Sequence, residues 1–546
     1  MRFRRSLLAL VCWTSLAGGL TASAQAATPA DLALINRLTF GISTSEVERF
    51  DAMGRDAWLA HQLHPDLHGD LPPAVQAEID ALPISQKSLA EIVFDSQAEI
   101  KEKNQIADPA LKKAAQKAIQ DRLNDLDRQA QMRSLLRDIY SKDQLNAQMT
   151  WFWTNYFNIF AQKRDIRQMT GAYEDEAIRP HALGHFRDLL EATLRHPAML
   201  RYLDNDQNAN GHINENYARE IMELHSLGVG SGYTQKDVQE LARILTGVGV
   251  STNPSPPNLP PALRDAYVRQ GLFEFNPARH DFGDKVFLGY NIRGSGFAEV
   301  EAVVDLLSRN PATARHVSQR LALYFLADAP SPDLVDHMSR TFLATDGDMA
   351  QVLKVLIESD AFRRSLGHKY KDPVHFVVSA LRAAYDKRVI VNTAPAQNWI
   401  NRMGEGLYGH DTPDGYPLEA SAWNSSGQIA LSFEIARQIG GGPNGLFRPA
   451  PPPPPPPSPF TIPPVTPSGG AGQATAATSS QTAPAAPPPP PPQPADLPGF
   501  PVLANRLYFL TLEPLLLPET RAALDQAVSQ QDWNAIYLSS PDFRFR

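Results

Sequence analysis

The sequence predicts a mainly α-helical protein: a multi-helix globular unit with a small β-hairpin and a long disordered proline-rich insertion. Three observations predict this fold class. Apolar residues recur at helical spacing through most of the first 448 residues, strand patterns are sparse, and one long stretch is dominated by proline. The chain has 546 residues, of which 43% are hydrophobic, so it is long enough to bury a large core.

The N-terminus has the composition of an export signal. Three arginines precede the mostly apolar, uncharged stretch 7–20, and the small residues of 24–26 follow it. A membrane anchor is the alternative, but the apolar stretch is short for a span of about 20 residues. We therefore expect a cleaved signal peptide at 1–26 and a periplasmic or secreted protein.

The chain that remains after signal cleavage is acidic and contains no cysteine. Removing three arginines from 51 basic residues leaves 48 against 59 acidic residues, a formal charge of −11. Nucleic-acid binding requires basic patches, so we expect no nucleic-acid partner. The single cysteine, Cys12, lies inside the predicted signal. No later stretch is long and apolar enough to predict a membrane span.

Helical patterns fill most of the chain before the proline-rich stretch. Asp108 followed by Pro109 predicts an N-cap and a first helical position. Apolar residues then recur every three or four positions over 111–130, and a similar stripe covers 89–100, so the two predict a helical hairpin. Further helices are predicted at 31–38, 144–161, 180–194, 298–307, 311–326, 348–357 and 373–385.

Strand signals are sparse along the whole chain. The stretch 286–296 is the best candidate for a β-hairpin, with its turn at 289–291. Its segments are short and are separated by residues that favour turns, which is the usual pattern of a hairpin. We therefore expect this small hairpin as the main β-structure of an otherwise helical protein.

A change of composition divides the chain near its end. From 449 to 495 no residue is charged, and the stretch contains the proline runs 451–457 and 487–492. Proline runs adopt extended polyproline II helices and bury too little apolar surface to form a core, so we expect a disordered spacer. A ligand for a proline-binding module is the alternative. The predicted organisation is a signal peptide at 1–26, a helical domain at 27–448, the spacer at 449–496, and C-terminal helices at 497–546 that complete the domain.

The densest polar run lies at 214–228 and is predicted to be helical. Glu215 and Arg219 are four residues apart and can form an ion pair, while Glu220 and Glu223 share a face of the helix. Two interpretations remain open. The run is a salt-bridged surface helix with a C-terminal glycine cap, or its carboxylates line a functional site.

The segment leading into this run has the spacing of a calcium-binding loop. Asp204, Asp206 and Asn208 place side-chain oxygens at loop positions 1, 3 and 5, and Glu215 falls at position 12. Ala209 stands at position 6, where such loops require glycine, so the pattern is incomplete. A divalent cation such as Ca²⁺ is the cofactor that this spacing favours, and a plain polar turn is the alternative.

A second cluster of chemically active side chains lies at 275–285. His280, Asp281 and Lys285 bring an imidazole, a carboxylate and an amine together in a loop ahead of the predicted hairpin. No nucleophilic serine motif accompanies them. The aromatic run 151–157 is interpreted as core, with a sugar-binding platform as the alternative.

Several short motifs in the chain are specific enough to identify a family. They occur at 152–157, 178–184, 196–200, 214–228, 232–247, 280–289 and 413–417. Together they resemble the domain of unknown function 1800 (DUF1800) family of exported bacterial proteins, from about residue 32 to the C-terminus. Tyr156 departs from that family, in which a histidine often occupies this position.

The resemblance implies an exported protein and implies no particular reaction. Members of the family are commonly encoded beside a second uncharacterised family with a sulfatase-like fold. The resemblance therefore also implies a co-exported protein of that kind as a partner.

Two classes of function stay open after the sequence analysis. One is a hydrolase-type site for an extracellular polymer or ester, and the other is a non-catalytic binding or assembly partner of a co-exported protein. An open pocket that joins both clusters would favour the enzyme, whereas a buried and fully paired Glu/Arg cluster with no adjoining cleft would favour the binding protein. The hydrolase-type site would take acid/base or metal-ligand oxygens from Glu215, Glu220 and Glu223, with Arg219 tuning them and His280 and Asp281 completing it.

Overall fold

The computed structural model describes residues 26–442, 444–449 and 499–546. The chain is 62% helical with a few short strands, which confirms the mainly α fold class. Within the ranges just given, no helix combines the length and the apolar character needed to cross a membrane. The predicted export signal, apart from its last residue, and nearly all of the predicted spacer at 449–496 lie outside the described residues.

Eight helices form the first part of the chain. The predicted helical hairpin is confirmed, and Asp108 accepts hydrogen bonds from the amides of Ala110 and Leu111 at the start of its second helix. The predicted helix 144–161 ends at Tyr156. The bounds are α1 Pro29–Leu38, α2 Thr44–Met53, α3 Arg55–Leu63, α4 Pro73–Asp80, α5 Pro83–Gln86, α6 Leu89–Gln105, α7 Pro109–Tyr140 and α8 Gln144–Tyr156.

Irregular helical turns separate the next group of helices. A 3₁₀ turn at Ile166–Gln168, a π-helical turn at Tyr173–Ile178 and a 3₁₀ turn at Arg179–His181 precede the helix predicted at 180–194. That helix starts later than predicted, at Phe186, and the Phe186 amide, which has no acceptor within the helix, donates to the Gly347 carbonyl. The helices are α9 Thr170–Ala172, α10 Phe186–Arg195, α11 Pro197–Tyr202, α12 Asn216–Glu223 and α13 Gln235–Ile244.

The predicted β-hairpin is present, but its turn lies one residue earlier than predicted. Leu288 and Gly289 have φ angles of +49° and +82°, the left-handed pair that closes a two-residue hairpin. A three-stranded antiparallel sheet, in the order β1-β3-β2, was not predicted. The strands are β1 Val248–Val250, β2 Val268–Gln270, β3 Phe273–Phe275, β4 Lys285–Phe287 and β5 Tyr290–Ile292.

The remaining helices follow the hairpin, and many begin with proline after a capping side chain. Asn310 and Asp372 are such caps, and each accepts a hydrogen bond from an amide of the first turn. The bounds are α14 Phe297–Ser308, α15 Pro311–Phe325, α16 Pro332–Ala344, α17 Met349–Glu358, α18 Asp360–Ser365, α19 Pro373–Tyr385, α20 Ala394–Arg402, α21 Ser426–Gly441, α22 Pro518–Leu524, α23 Gln530–Ser539 and α24 Pro541–Arg544.

One large hydrophobic core extends from Leu32 to Phe543. The aromatic run 151–157 lies inside it, and Trp153 is fully buried. α21 and α23 approach closely, since a Cβ atom on Gly440 would lie 2.8 Å from the Cβ of Asn534. The helices after residue 499 therefore pack on those before residue 449.

Candidate functional site

Three candidate residues, Glu215, Arg219 and Glu223, form an ion-paired group at the start of α12 and along it. Arg219 donates from Nη2 to Glu215 Oε2 at 3.2 Å and from Nη1 to Glu223 Oε1 at 3.5 Å. Gln235, at the start of α13, donates to the same Glu215 oxygen at 2.7 Å. All of these side chains are partly exposed, and the helix ends at Glu223, earlier than the predicted run 214–228.

Glu220 differs from the other α12 carboxylates. Among the described residues, its carboxylate has no hydrogen-bond or ion-pair partner, whereas Glu223 is paired with Arg219. Burial and the nearby charge of Glu223 raise the pKa of Glu220, with Asp414 adding to the effect and Arg219 opposing it. Two neighbouring carboxylates in different environments are the usual arrangement of an acid/base pair.

His280 and Lys285 meet in a second, closed group around Glu299. His280 Nε2 lies 2.9 Å from Glu299 Oε1, and Lys285 Nζ lies 2.5 Å from Glu299 Oε2. His280 Nδ1 lies 2.8 Å from the carbonyl oxygen of Thr246. All three side chains are 0% exposed, so the imidazole has no face toward solvent.

Glu299 is the residue of this group that sequence reasoning missed. It is the third residue of α14, and it also accepts hydrogen bonds from the amides of Ser295 and Gly296 at 2.8 and 3.0 Å. Burial opposes ionisation, but the bonds from His280 and Lys285 hold the pKa of Glu299 below its ordinary value. The sequence can indicate that Glu299 occupies a helix-capping position. It cannot indicate that Glu299 contacts the 280–285 loop.

Asp281 lies beside this closed group and is paired with another residue. Arg243 on α13 donates to both of its carboxylate oxygens, at 2.8 and 3.2 Å. The hydrogen bond from Arg243 lowers the pKa of Asp281. Within the described residues, no hydrogen bond or ion pair joins His280 or Asp281 to the α12 carboxylates. The structure thus separates the six candidate catalytic residues: Arg219 pairs with Glu215 and Glu223, His280 contacts Glu299, Asp281 pairs with Arg243, and Glu220 stands alone among the described residues.

The candidate calcium loop uses its side chains in contacts with the protein. Asp204 accepts from Lys163 at 2.7 Å, and Asp206 accepts from Arg164 at 3.0 and 2.9 Å. Asn208 is buried and donates to the Ala242 carbonyl at 2.8 Å. In the part of the chain that the structure describes, no three His, Cys, Asp or Glu side chains are grouped so as to hold a metal ion. Glu215, the fourth ligand predicted, belongs to the α12 group.

A cavity of about 360 Å³ lies between the segment that follows α12 and the β4–β5 hairpin. Asp237 of α13 holds the hairpin in place by accepting a hydrogen bond from the Leu288 amide at 2.8 Å. Tyr233 also lines the cavity, and burial together with the Glu223 carboxylate of α12 raises the pKa of Tyr233 to about 12. We call this cavity the hairpin groove. It is lined by Leu227, Ser231, Gly232, Tyr233, Asp237, Leu288, Gly289 and Asn310.

A buried group of two histidines and a tyrosine lies just beyond α12. The Tyr156 ring packs between His225 and His316, with ring centroids 6.3 and 5.9 Å away. Tyr156 Oη and His225 Nε2 are buried and have no hydrogen-bond partner among the described residues. Sequence reasoning missed this group, because His316 lies 91 residues beyond His225 and no local pattern connects them.

Acid is expected to destabilise the protein through His225. Burial and the neighbouring His316 lower its folded pKa from 6.5 to about 3. The unfolded chain therefore binds a proton that the folded chain does not, and stability present above pH 6.5 is lost as the pH falls toward 3. Urea unfolding gives the free energy of unfolding at a series of pH values between 3 and 6.5. The slope of this free energy against pH should be about 1.4 kcal/mol per pH unit smaller in His225→Phe than in the wild type.

The exposed histidine His68 provides the control for this measurement. His68→Phe should keep the wild-type acid dependence, since this side chain is exposed to solvent. An unchanged slope in His225→Phe would contradict a neutral, buried His225.

The fold and these groups define a mainly α-helical protein with charged networks and an open groove beside one of them. A family model described as "Protein of unknown function (DUF1800)" matches residues 33–545, nearly the whole chain. The chain therefore belongs to the DUF1800 family, as its motifs predicted. No curated protein and no solved structure matches the chain.

Proposed function

We propose that this DUF1800 protein is exported and acts as a non-catalytic binding protein that holds a co-exported partner protein in the hairpin groove. One observation carries the proposal. His280, Lys285 and Glu299 satisfy one another in the interior, while the open groove nearby is walled by other residues. A closed and paired cluster beside an independent groove is typical of a structural network next to a binding surface. The pattern of residues 1–26 supports export.

Exposed apolar side chains support a protein partner. Val229 is 77% exposed and lies on the segment that supplies Leu227 and Ser231 to the groove. Tyr290 is 59% exposed and directly follows Gly289 on the opposite wall. Large apolar side chains next to a groove are typical of protein-binding surfaces.

The charge beside the groove indicates the chemistry of the partner. Glu215, Glu220 and Glu223 carry three carboxylates against the single guanidinium of Arg219. An acidic rim favours a basic segment, because complementary charge steers association. We infer an extended segment with apolar and basic side chains, on a co-exported protein such as the sulfatase-like partner that the family resemblance implies.

A hydrolase-type site is the second candidate, and one observation favours it. Glu220 lacks a partner and has a raised pKa, while neighbouring Glu223 is paired with Arg219. A partly buried, unpaired carboxylate beside one that is paired with arginine is an arrangement that acid/base catalysis can use. Turnover of an extracellular polymer or ester that Glu220→Gln abolishes would support this candidate and overturn the binding proposal.

In-cell photo-cross-linking tests the binding proposal. The photoreactive amino acid p-benzoylphenylalanine replaces Tyr290 at the groove, or Val528 between α22 and α23 as the control. Both side chains are exposed, so neither replacement disturbs the core. We expect a defined adduct with one exported protein from position 290 and none from position 528.

Charge reversal tests whether the adduct depends on the carboxylates beside the groove. Glu220→Lys combined with Glu223→Lys should weaken the adduct at position 290, because the basic segment then meets like charge. Equal adducts from positions 290 and 528, or an adduct unaffected by the double charge reversal, would overturn the proposal.

A further inference from the structure

A second cavity, of about 310 Å³, lies far along the chain from α12, between α4 to α7 and the π-helical turn. Its wall contains three arginines, Arg133 and Arg137 on α7 and Arg167 on the 3₁₀ turn. No residue of the hairpin groove lines it. We call it the arginine cavity.

Two of these arginines share one carboxylate. Arg133 Nη2 lies 3.0 Å from Asp175 Oδ2, and Arg137 donates to both oxygens of the same carboxylate. Burial alone would favour the neutral acid, but Arg137 and Arg133 hold the pKa of Asp175 below its ordinary value. Two guanidinium groups against a single carboxylate leave one positive charge in excess on this wall.

The third arginine has no carboxylate partner. Arg167 is only 7% exposed, and among the described residues no acidic group lies within ion-pair distance of it. Its Nη1 donates to the neutral amide oxygen of Asn124 at 2.6 Å, and its Nη2 donates to the amide oxygen of Gln120. Its Nε is buried and has no hydrogen-bond partner in the described chain. The charge of Arg167 acts on the Asp127 carboxylate without forming an ion pair with it. A buried charge is normally paired, so the Arg167 guanidinium keeps the capacity to bind a further anion.

The backbone conformation leaves room for these side chains and positions Asp175. A Cβ atom on Gly171 would lie 2.7 Å from Arg133 Nη2, so glycine leaves room for the guanidinium. Asp175 projects from the π-helical turn Tyr173–Ile178. Such single π turns occur frequently at functional sites because they redirect side chains.

We propose that the arginine cavity binds a small organic anion, whose carboxylate or other oxyanion group pairs with Arg167 and with the excess charge at Arg133 and Arg137. The volume suits a small ligand. Ile79, Ile84 and other apolar residues line the remaining wall and would contact the body of such a ligand. Asp80 and Glu176 also line the cavity, but both are exposed to solvent and screened by it.

Calorimetric titration of the purified protein at constant ionic strength tests this inference. Three probes are used: benzoate, inorganic phosphate and sulfate. Benzoate combines a carboxylate with an apolar ring, whereas phosphate and sulfate offer only the oxyanion. We expect saturable binding of at least one probe, and the comparison shows which oxyanion the cavity prefers.

Two variants locate the binding in the cavity, and one serves as the control. Arg167→Gln removes the charge. Ser85→Trp fills the cavity mouth from an exposed position and keeps all three guanidinium groups, at the cost of the 3.4 Å hydrogen bond that Arg133 Nη1 donates to Ser85 Oγ. Arg167→Gln should weaken binding at least about tenfold, the usual effect of losing a charged hydrogen-bond partner. Ser85→Trp should weaken it at least as much, because the indole occupies the space of the ligand. Arg309→Gln, at an exposed arginine elsewhere, should bind as wild type.

Two outcomes would overturn the proposal. One is the absence of saturable binding by all three probes. The other is binding that survives in Ser85→Trp, a result that does not depend on whether Arg167→Gln folds.

Discussion

Glu299→Gln is expected to lower the free energy of unfolding by about 3–5 kcal/mol, the usual cost of breaking a buried ion pair on one side. The variant leaves Lys285 without its carboxylate in a place where the ammonium is 0% exposed. It also replaces the carboxylate that contacts His280 with a neutral amide, since His280 Nε2 lies 2.9 Å from Glu299 Oε1. Equilibrium urea unfolding of the purified protein measures the change.

Glu301→Gln is the matched control on the same helix. Glu301 is 49% exposed and lies 3.4 Å from Arg195, so its loss should cost less than about 1 kcal/mol. Equal effects of the two substitutions would contradict a structural role for the buried group. They would reopen a catalytic role for His280.

Trp153→Ala is expected to cost about 3–5 kcal/mol of unfolding free energy, the range for removing a large buried aromatic side chain. The ring is fully buried and packs on Phe157 and Phe186, with centroids 5.9 Å away in both cases. Its Nε1 donates to the Ala182 carbonyl at 2.9 Å, which would lose its partner. The same urea titration measures this loss.

Phe433→Ala provides the comparison for an exposed aromatic residue. Phe433 on α21 is 50% exposed, and its removal should change the stability by about 0.5 kcal/mol or less. A stable Trp153→Ala protein that had lost binding to a polysaccharide would contradict the core assignment. It would favour the sugar-platform interpretation of the aromatic run.

Local sequence signals predicted the bounds of a helix correctly where its capping residue and its first turn determine them. The helix predicted at 311–326 is observed at Pro311–Phe325, and the one predicted at 373–385 matches to the residue. Both begin with a capping side chain followed by proline, which fixes the start without tertiary contacts. The three-stranded sheet was missed because its three-residue strands show no alternating pattern, and β1 pairs with β3 across more than about 20 residues. The hairpin strands are equally short, but their local turn marks them.

Tertiary contacts decided the elements that the sequence misplaced. The helix predicted at 144–161 ends at Tyr156, and Asn158 just beyond it donates to the carbonyls of His410 and Thr412 at 3.0 and 2.8 Å. Those partners lie about 250 residues away in the chain. A single sequence carries no local signal for such contacts.

The candidate site was predictable only in part, for the same reason. The i,i+4 spacing of Glu215, Arg219 and Glu223 predicted the ion-paired face that the structure contains. Spacing also suggested a common role for His280 and Asp281, but their side chains pair with different residues. Arg167 carried no signal, because the absence of a charged partner becomes visible only in the folded protein.

Hydrogen exchange of the protein alone and bound to its cross-linked partner tests the proposed binding function most directly. The hairpin groove predicts slower exchange in 224–233 and 285–292 when the partner is bound. α22 and α23 should exchange at the same rate in both states. Protection confined to other helices, with the groove unchanged, would contradict the proposal that this groove is the binding surface.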